Sequence, residues 1–193
     1  PILRGLIAEA DWLRIGDAAY TCDPLSGQGV FEAVSAAIAA VPVINTLVRR
    51  PLSTDLALRY FDECAESVFR SRVEVARQHY IAETHWQDEP FWSRMSASDS
   101  SQETVTPHSS RSYFSARPVV EGGYIVERPI VISAEYPRGV RFIDGVDLAR
   151  VDELLRNGVP VVPEVISRYI LMPHEKIAGA LQWLRAHALI RES

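Results

Sequence analysis

The sequence contains few cysteines and comparatively few basic residues. Its two cysteines, Cys22 and Cys64, do not form a Cys-x-x-Cys pair, and two residues cannot build the disulfide framework of a small secreted domain. We therefore expect a reducing, cytoplasmic setting. The 20 Lys and Arg residues are outnumbered by 25 Asp and Glu residues, which gives a net charge of −5. This acidic balance argues against a general nucleic-acid or anionic-membrane surface.

Several motifs of catalytic or phosphate-binding sites are also missing. The chain has neither the Gly-x-x-x-x-Gly-Lys-Ser/Thr phosphate loop nor the Gly-x-Gly-x-x-Gly dinucleotide fingerprint. The Gly-x-Ser-x-Gly elbow of serine hydrolases fails at Ser26, because Pro24 stands where the first glycine is needed. The five histidines are dispersed along the chain, so we expect no metal site. The first residues lack the basic start and the apolar block that are typical of a signal peptide, so we expect none.

The most informative stretch runs from Gly16 to Gly29. A short apolar run at 12–15 predicts a strand before it, and a long apolar pattern at 30–48 predicts a helix after it. A strand, a Gly-Asp turn and a helix N-terminus bring free backbone N–H groups close to the carboxylate of Asp17. Free N–H groups suit an electron-rich ligand edge and a carboxylate suits hydroxyl donors. These features predict a nucleotide or flavin ligand.

Two parts of this stretch carry a family resemblance. Gly16-Asp17-Ala18-Ala19, followed after three residues by Asp23-Pro24-Leu25-Ser26-Gly27-Gln28-Gly29, resembles the second flavin-binding motif of FAD-dependent monooxygenases and halogenases. The resemblance implies that Asp17 binds a ribityl hydroxyl of FAD. It also implies a set of residues at the turn and the flavin edge, namely Gly16, Pro24, Ser26, Gly27, Gln28 and Gly29. The alternative is that Asp17 caps a turn and the glycines end a strand.

The same resemblance also implies what the rest of the enzyme contains. In that family the first half of the protein carries the dinucleotide fingerprint, so we expect this chain to be the C-terminal part of a larger flavoprotein that needs a missing N-terminal half to hold FAD. The catalytic lysine of halogenases also belongs to the earlier region, and we name no catalytic residue here. Residues 117–148 further resemble flavoproteins that mature quinone-cofactor amino-acid oxidases, which implies a protein substrate.

The long helical patterns predict how the first part of the chain is packed. The helix at 30–48 is apolar nearly all round, and we expect it in the core rather than in a membrane because Glu32 and Pro42 are unfavourable there. A second, amphipathic helix is predicted from 55 to about 85. It is followed by Pro90-Phe91-Trp92, a rigid aromatic segment for core packing or for lining a substrate channel.

A serine-rich stretch and a second set of elements complete the chain. Residues 93–112 contain eight serines and predict a flexible linker. Residues 117–132 predict a hairpin about Gly122 and Gly123, with a third strand at 140–143. Helices are predicted at 147–157, 163–171 and 173–189. Three short helices resemble a winged-helix module, although residues 144–193 hold seven acidic and six basic side chains, a poor balance for DNA binding.

Together these features predict an α+β fold that is mainly helical. Residues 1–92 are interpreted as the C-terminal segment of an FAD-binding Rossmann-like domain, 93–112 as a linker, and 113–193 as a β-hairpin with a winged-helix-like helical module. The predicted function is part of an FAD-dependent oxidoreductase, monooxygenase- or halogenase-like, acting on a protein or carrier-bound substrate. The alternative is a non-catalytic protein-interaction module, with DNA binding as a lesser possibility.

Overall fold

The computed structural model describes residues 1–24, 27–86, 88–96 and 111–190. Two compact units divide the chain. The N-terminal unit comprises residues 1–102 and 118–127, and the C-terminal unit comprises residues 103–117 and 128–193. Helices and small sheets are mixed, and 54% of the structure is helical, which confirms the predicted mainly helical α+β class. The Rossmann-like and winged-helix-like assignments stay predictions.

Short strands begin the N-terminal unit and three helices follow them. The strands form two antiparallel pairs: β1 (Ile2–Leu3) with β4 (Tyr20–Thr21), and β2 (Ala8–Glu9) with β3 (Trp12–Leu13). A 3₁₀ turn, Gly16–Ala18, lies between β3 and β4. The helices are α1 (Gly29–Arg49), α2 (Thr54–Ala82) and α3 (Pro90–Ser96). The predicted helices at 30–48 and 55–85 are therefore confirmed, with boundaries that differ by one to three residues.

The core of this unit lies where α1 packs against α2. Small residues such as Ala40 on α1 and Ala57 on α2 are buried there, and small side chains let helix backbones approach closely. The tip of a hairpin, residues 118–127, belongs to the same unit. It is joined to α1 by two hydrogen bonds: the Ile125 N–H donates to Thr46 Oγ1 at 2.8 Å, and Asn45 Nδ2 donates to the Gly123 carbonyl at 3.1 Å.

The expectation that α1 is a core helix holds for one face of α1 only. One face, with Glu32, Ala40, Val43 and Thr46, is buried, while seven large apolar side chains elsewhere on α1 are exposed. Packing against α2 and the hairpin tip covers one side of a helix only, which is the physical reason for the difference. By length and composition α1 is also apolar enough to cross a membrane, but its buried face is part of a folded unit.

The hairpin itself is formed by β5 (Tyr113–Glu121) and β6 (Tyr124–Ile132), as predicted. The two turn residues, Gly122 and Gly123, have φ angles of +60° and +79°. Two successive positive φ values define the turn that matches the twist of a two-stranded ribbon, and glycine adopts them without steric cost.

The remaining part of the C-terminal unit contains one small strand pair and three helices. β7 (Phe142–Ile143) pairs with β8 (Val146–Asp147), and α4 (Leu148–Arg156), α5 (Pro163–Ile170) and α6 (His174–Ala186) follow. The three predicted helices are thus confirmed. Asp147 caps α4, because its Oδ1 accepts a hydrogen bond from the Ala149 N–H at 3.1 Å. The helices enclose a separate core, which contains Val131, Val146, Leu148, Val151, Ile166, Ile177, Ala180, Leu181 and Leu184.

Candidate functional site

The first part of the predicted site is the 3₁₀ turn that follows β3. Gly16 is buried and has a φ of +55°. A Cβ added to it would lie 3.0 Å from the Cβ of Ala33 on α1, which is too close for an unstrained contact. Glycine at this position therefore serves two needs at once: the left-handed backbone and the close approach of the turn to α1.

Asp17 projects from this turn as an exposed side chain. The turn is closed by main-chain hydrogen bonds, including one from the Ala19 N–H to the Gly16 carbonyl at 2.9 Å. Its N-cap position is Ile15, with no side-chain cap. Asp17 is therefore not the N-cap residue, and its exposed carboxylate lies in the first turn of the 3₁₀ helix.

The second part of the predicted site is the N-terminus of α1. The Gly27 N–H donates to the Pro24 carbonyl at 3.0 Å and closes a turn, and Gly27 has a φ of +62°. Gln28 is the N-cap of α1 and makes no side-chain cap hydrogen bond. The first N–H groups of a helix have no partner within the helix, so they suit an acceptor atom of a ligand. Ser26, the remaining predicted site residue, lies outside the described residues.

The two parts of the site are adjacent, because the turn at Gly16 packs against α1 near Ala33. The surface beside the helix start is open: a Cβ added to Gly27 or Gly29 would meet no atom within 4 Å. An exposed carboxylate and the positive end of a 21-residue helix thus lie on one small unit. This arrangement can bind a ligand that offers hydroxyl donors to Asp17 and an electron-rich edge to the helix.

A polar cluster that the sequence did not predict lies on the buried face of α1, near the start of the helix. Glu32, in the first turn of α1, forms an ion pair with Arg72 of α2 and accepts a hydrogen bond from the Tyr20 hydroxyl at 3.2 Å. Burial and the negative charge of Glu32 raise the pKa of Tyr20 to about 12. The pKa of the Cys22 thiol is also raised, mainly by burial. A single carboxylate within an apolar helix was the sequence signal for this cluster.

A second contact ties the segment before α1 to the far end of α2. The Tyr80 hydroxyl donates a hydrogen bond to the Asp23 carboxylate, and this bond is the main reason why the pKa of Tyr80 is raised to about 12. Tyr80 also packs edge-on against Phe91 and Trp92, with ring centroids 5.8 and 5.5 Å apart. Two residues of the predicted aromatic segment, Phe91 and Trp92, thus contact Tyr80, and no spacing in the sequence connects Tyr80 with Asp23.

No group of three or more His, Cys, Asp or Glu side chains within the described ranges could hold a metal ion.

Comparisons with known proteins give one informative match. No protein-family profile matches the chain, and no curated protein sequence matches it. Among solved structures the chain is similar to an enzyme, a peptidyl dihydroxylase of the oxidoreductase type. This neighbour is the peptidyl tryptophan dihydroxylase QhpG, essential for tryptophylquinone cofactor biogenesis, with a TM-score of 0.73 and 33% sequence identity. The match covers 97% of this chain and 43% of the neighbour, so the chain spans less than half of that protein's length.

Proposed function

We propose that this chain is part of an FAD-dependent oxidoreductase of the monooxygenase type that modifies a protein substrate. The observation that supports the proposal is the pairing of exposed Asp17 with an uncapped helix N-terminus at Gln28. It occurs in a chain that is 33% identical to a peptidyl tryptophan dihydroxylase. We also propose that the motif is of the halogenase-like kind and that the C-terminal helices form a winged-helix-like module.

The residues present fit FAD by their chemistry. Asp17 would accept a hydrogen bond from a ribityl hydroxyl, and the exposed backbone of Gly27, Gln28 and Gly29 would face the flavin edge. Pro24 and Ser26 complete the motif that resembles known flavin sites. When bound, FAD supplies the redox chemistry, and this part of the protein binds it and shapes its electrostatic surroundings. A missing N-terminal half would hold the rest of the cofactor.

The helix N-terminus has a defined electrostatic role in this proposal. Its positive end stabilises negative charge on a ligand placed against it. Glu32 lies only one turn into α1, and an unpaired carboxylate there would oppose that effect. The ion pair with Arg72 offsets the charge of Glu32, so the N-terminal field stays positive for the ligand.

The substrate is proposed by analogy with the structural neighbour. QhpG acts on tryptophan within a peptide, and a protein substrate for this chain agrees with the resemblance of residues 117–148 to flavoproteins that mature quinone-cofactor oxidases. A hydroxylated protein product is proposed by analogy with the dihydroxylase QhpG.

The assignment of Asp17 is tested by the affinity for FAD, measured from flavin fluorescence anisotropy during titration with the chain. Loss of a hydrogen bond to a charged group costs about 1.5 kcal/mol, so Asp17→Ala should weaken the affinity about tenfold. Asp11→Ala is the matched control, because Asp11 is an exposed carboxylate in the neighbouring turn. Equal affinities of the Asp17→Ala and unmodified chains would remove Asp17 from the site.

A further inference from the structure

A carboxylate, a phenol and an indole form a connected set of side chains next to the candidate flavin segment. The Tyr80 hydroxyl donates a hydrogen bond to the Asp23 carboxylate, and the Tyr80 ring lies edge-on to Trp92 with 5.5 Å between the ring centroids. We call this set the tyrosine relay, and it consists of Asp23, Tyr80 and Trp92. All three residues belong to the N-terminal unit. Tyr80 is buried, with 9% of its surface exposed, while Trp92 is half-buried.

The hydrogen bond between the phenol and the carboxylate suits the loss of one electron from Tyr80. A phenol becomes a strong acid when it loses an electron, so its oxidation is easier when a base already accepts its hydrogen bond. The Asp23 carboxylate is such a base and can take up the proton without any movement of the two side chains. The same hydrogen bond is the main reason why the pKa of Tyr80 is raised to about 12, so the phenol keeps its proton at neutral pH until an electron leaves.

Two other tyrosines of this unit, Tyr20 and Tyr60, lack parts of the same arrangement. The Tyr20 hydroxyl also donates to a carboxylate, that of Glu32, at 3.2 Å, but Glu32 is in an ion pair with Arg72. The positive charge of Arg72 stabilises the ionised form of Glu32 and makes it a weaker base. The hydrogen-bond partner of Tyr60 is the Cys64 thiol, a weak acceptor. Among the described residues, neither tyrosine is in ring contact with a tryptophan.

The tyrosine relay connects the candidate flavin segment with the protein surface. At one end, Asp23 directly precedes Pro24, whose carbonyl accepts a hydrogen bond from the Gly27 N–H. At the other end, Trp92 packs against Phe91, with 5.4 Å between the ring centroids, and Phe91 is 46% exposed. Electrons cross the short gap between two rings in contact more readily than a wider gap. The contact with Trp92 therefore gives Tyr80 a path for electrons from solvent.

We propose that Tyr80 is a redox-active residue that reduces a one-electron oxidant formed from oxygen at the cofactor site. This role rests on the proposed function, which supplies oxygen chemistry next to Asp23. Tyr80 gives one electron to the oxidant and its hydroxyl proton to the Asp23 carboxylate, which leaves a neutral tyrosyl radical and a protonated Asp23. Trp92 then passes one electron to the radical, and Asp23 returns the proton. A small reductant in solvent, such as ascorbate, supplies the electron that restores Trp92. The cycle removes the oxidant when no protein substrate is bound.

The electron transfer is tested by pulse radiolysis of the chain without FAD, with azide radicals as the oxidant. Azide radicals oxidise tryptophan, and visible absorption then follows the transfer of the radical from tryptophan to tyrosine. The chain carries Tyr136→Phe throughout, because Tyr136 lies 6.0 Å from Trp183 and forms a second pair of this kind. We expect a first-order phase whose rate does not depend on protein concentration, as transfer within one molecule requires.

Three variants in this background decide whether Tyr80 is the electron donor. Tyr80→Phe keeps the ring contacts and should lose the first-order phase. Asp23→Asn keeps the size of the side chain but not the base, and should slow the phase about tenfold. Tyr60→Phe is the matched control and should leave it unchanged, because the partner of Tyr60 is a thiol. Circular dichroism and thermal unfolding establish that each variant is folded, and a purely structural role of Tyr80 would not change the radical transfer.

A second measurement separates the tyrosine relay from FAD binding. A laser flash excites FAD bound to the chain, and the excited flavin acts as a one-electron oxidant. The tyrosyl radical formed within the complex should be lost in Tyr80→Phe and retained in Tyr60→Phe. Radical transfer in radiolysis without any binding of FAD keeps the electron transfer and overturns the proposed function. An unchanged phase in Tyr80→Phe overturns the relay, an unchanged rate in Asp23→Asn overturns Asp23 as the proton acceptor, and equal radical yields with bound FAD overturn the link to the cofactor site.

Discussion

At the scale of single residues, Tyr80 and Asp23 determine how the candidate flavin segment is held. Asp23 precedes the turn at Pro24, and its carboxylate accepts the hydrogen bond of Tyr80 from the end of α2. Glu32 fixes the other end of the segment through Arg72 and Tyr20. The start of α1 is thus positioned by side chains on both sides, and a helix N-terminus stabilises a ligand best when it is held in place before the ligand binds.

We predict that Tyr80→Phe loosens this segment without unfolding the unit. The variant keeps the aromatic packing against Phe91 and Trp92 and loses the hydrogen bond to the Asp23 carboxylate, worth about 1.5 kcal/mol. Hydrogen exchange of the backbone amides of residues 27–29 should become faster, with a small change in melting temperature.

Tyr60→Phe is the control for that measurement. Tyr60 is another tyrosine of α2, and its pKa is raised mainly by burial and not by Asp23. Its replacement should leave exchange at residues 27–29 unchanged. Unchanged exchange in Tyr80→Phe as well would show that the hydrogen bond to Asp23 does not position the segment.

Titration of the tyrosines predicts a loss of stability in base. The pKa values of Tyr20, Tyr60 and Tyr80 are raised from 10.0 to about 12. Because the folded pKa is the higher one, their contribution to stability is complete below pH 10 and is lost as the pH rises towards 12. Cys22, whose pKa is raised from 9.0, adds to the loss in the same direction. Urea unfolding should give a free energy that falls above pH 10, less steeply in Tyr80→Phe, and a value constant to pH 12 would contradict the assignment.

At the scale of secondary-structure elements, the turn at Gly16 decides whether the two parts of the site meet. Gly16→Ala adds a methyl group 3.0 Å from Ala33 Cβ at a φ of +55°. We expect a loss of about 2 kcal/mol in the free energy of unfolding, from strain and overpacking together. Gly27→Ala meets open space at a φ of +62° and should lose about 1 kcal/mol from strain alone.

Gly5→Ala is the neutral comparison, because a Cβ at Gly5 meets no atom within 4 Å and Gly5 has no positive φ. Chemical denaturation of the three variants gives the ranking directly. Equal stabilities of Gly16→Ala and Gly5→Ala would contradict the close approach of the turn to α1.

The elements also show what the sequence can and cannot predict. The long apolar run predicted the bounds of α1 to within one residue at each end, and the glycine pair predicted the position of the hairpin turn. Which face of α1 is buried could not be predicted, because a helix that is apolar all round has no polar face to mark the solvent side. The pairing of Tyr80 with Asp23 joins residues 57 positions apart, and only packing of α2 against the strands and α1 brings such residues together.

At the scale of the whole molecule, the chain consists of two units with separate cores. All described residues of the candidate site lie in the N-terminal unit. Tyr20, Glu32, Arg72 and Tyr80 are not part of the sequence motif, and the fold brings them around its predicted site residues.

The central claim is that residues 16–29 form one side of a flavin site. It is tested most directly by titrating the isotope-labelled chain with FAD and following its backbone amide signals by NMR. We predict weak binding, with the largest shifts at Gly16, Gly27 and Gly29 and little change in the C-terminal unit, and smaller shifts in Asp17→Ala. An unchanged spectrum at millimolar FAD, or shifts confined to residues 128–190, would contradict the claim.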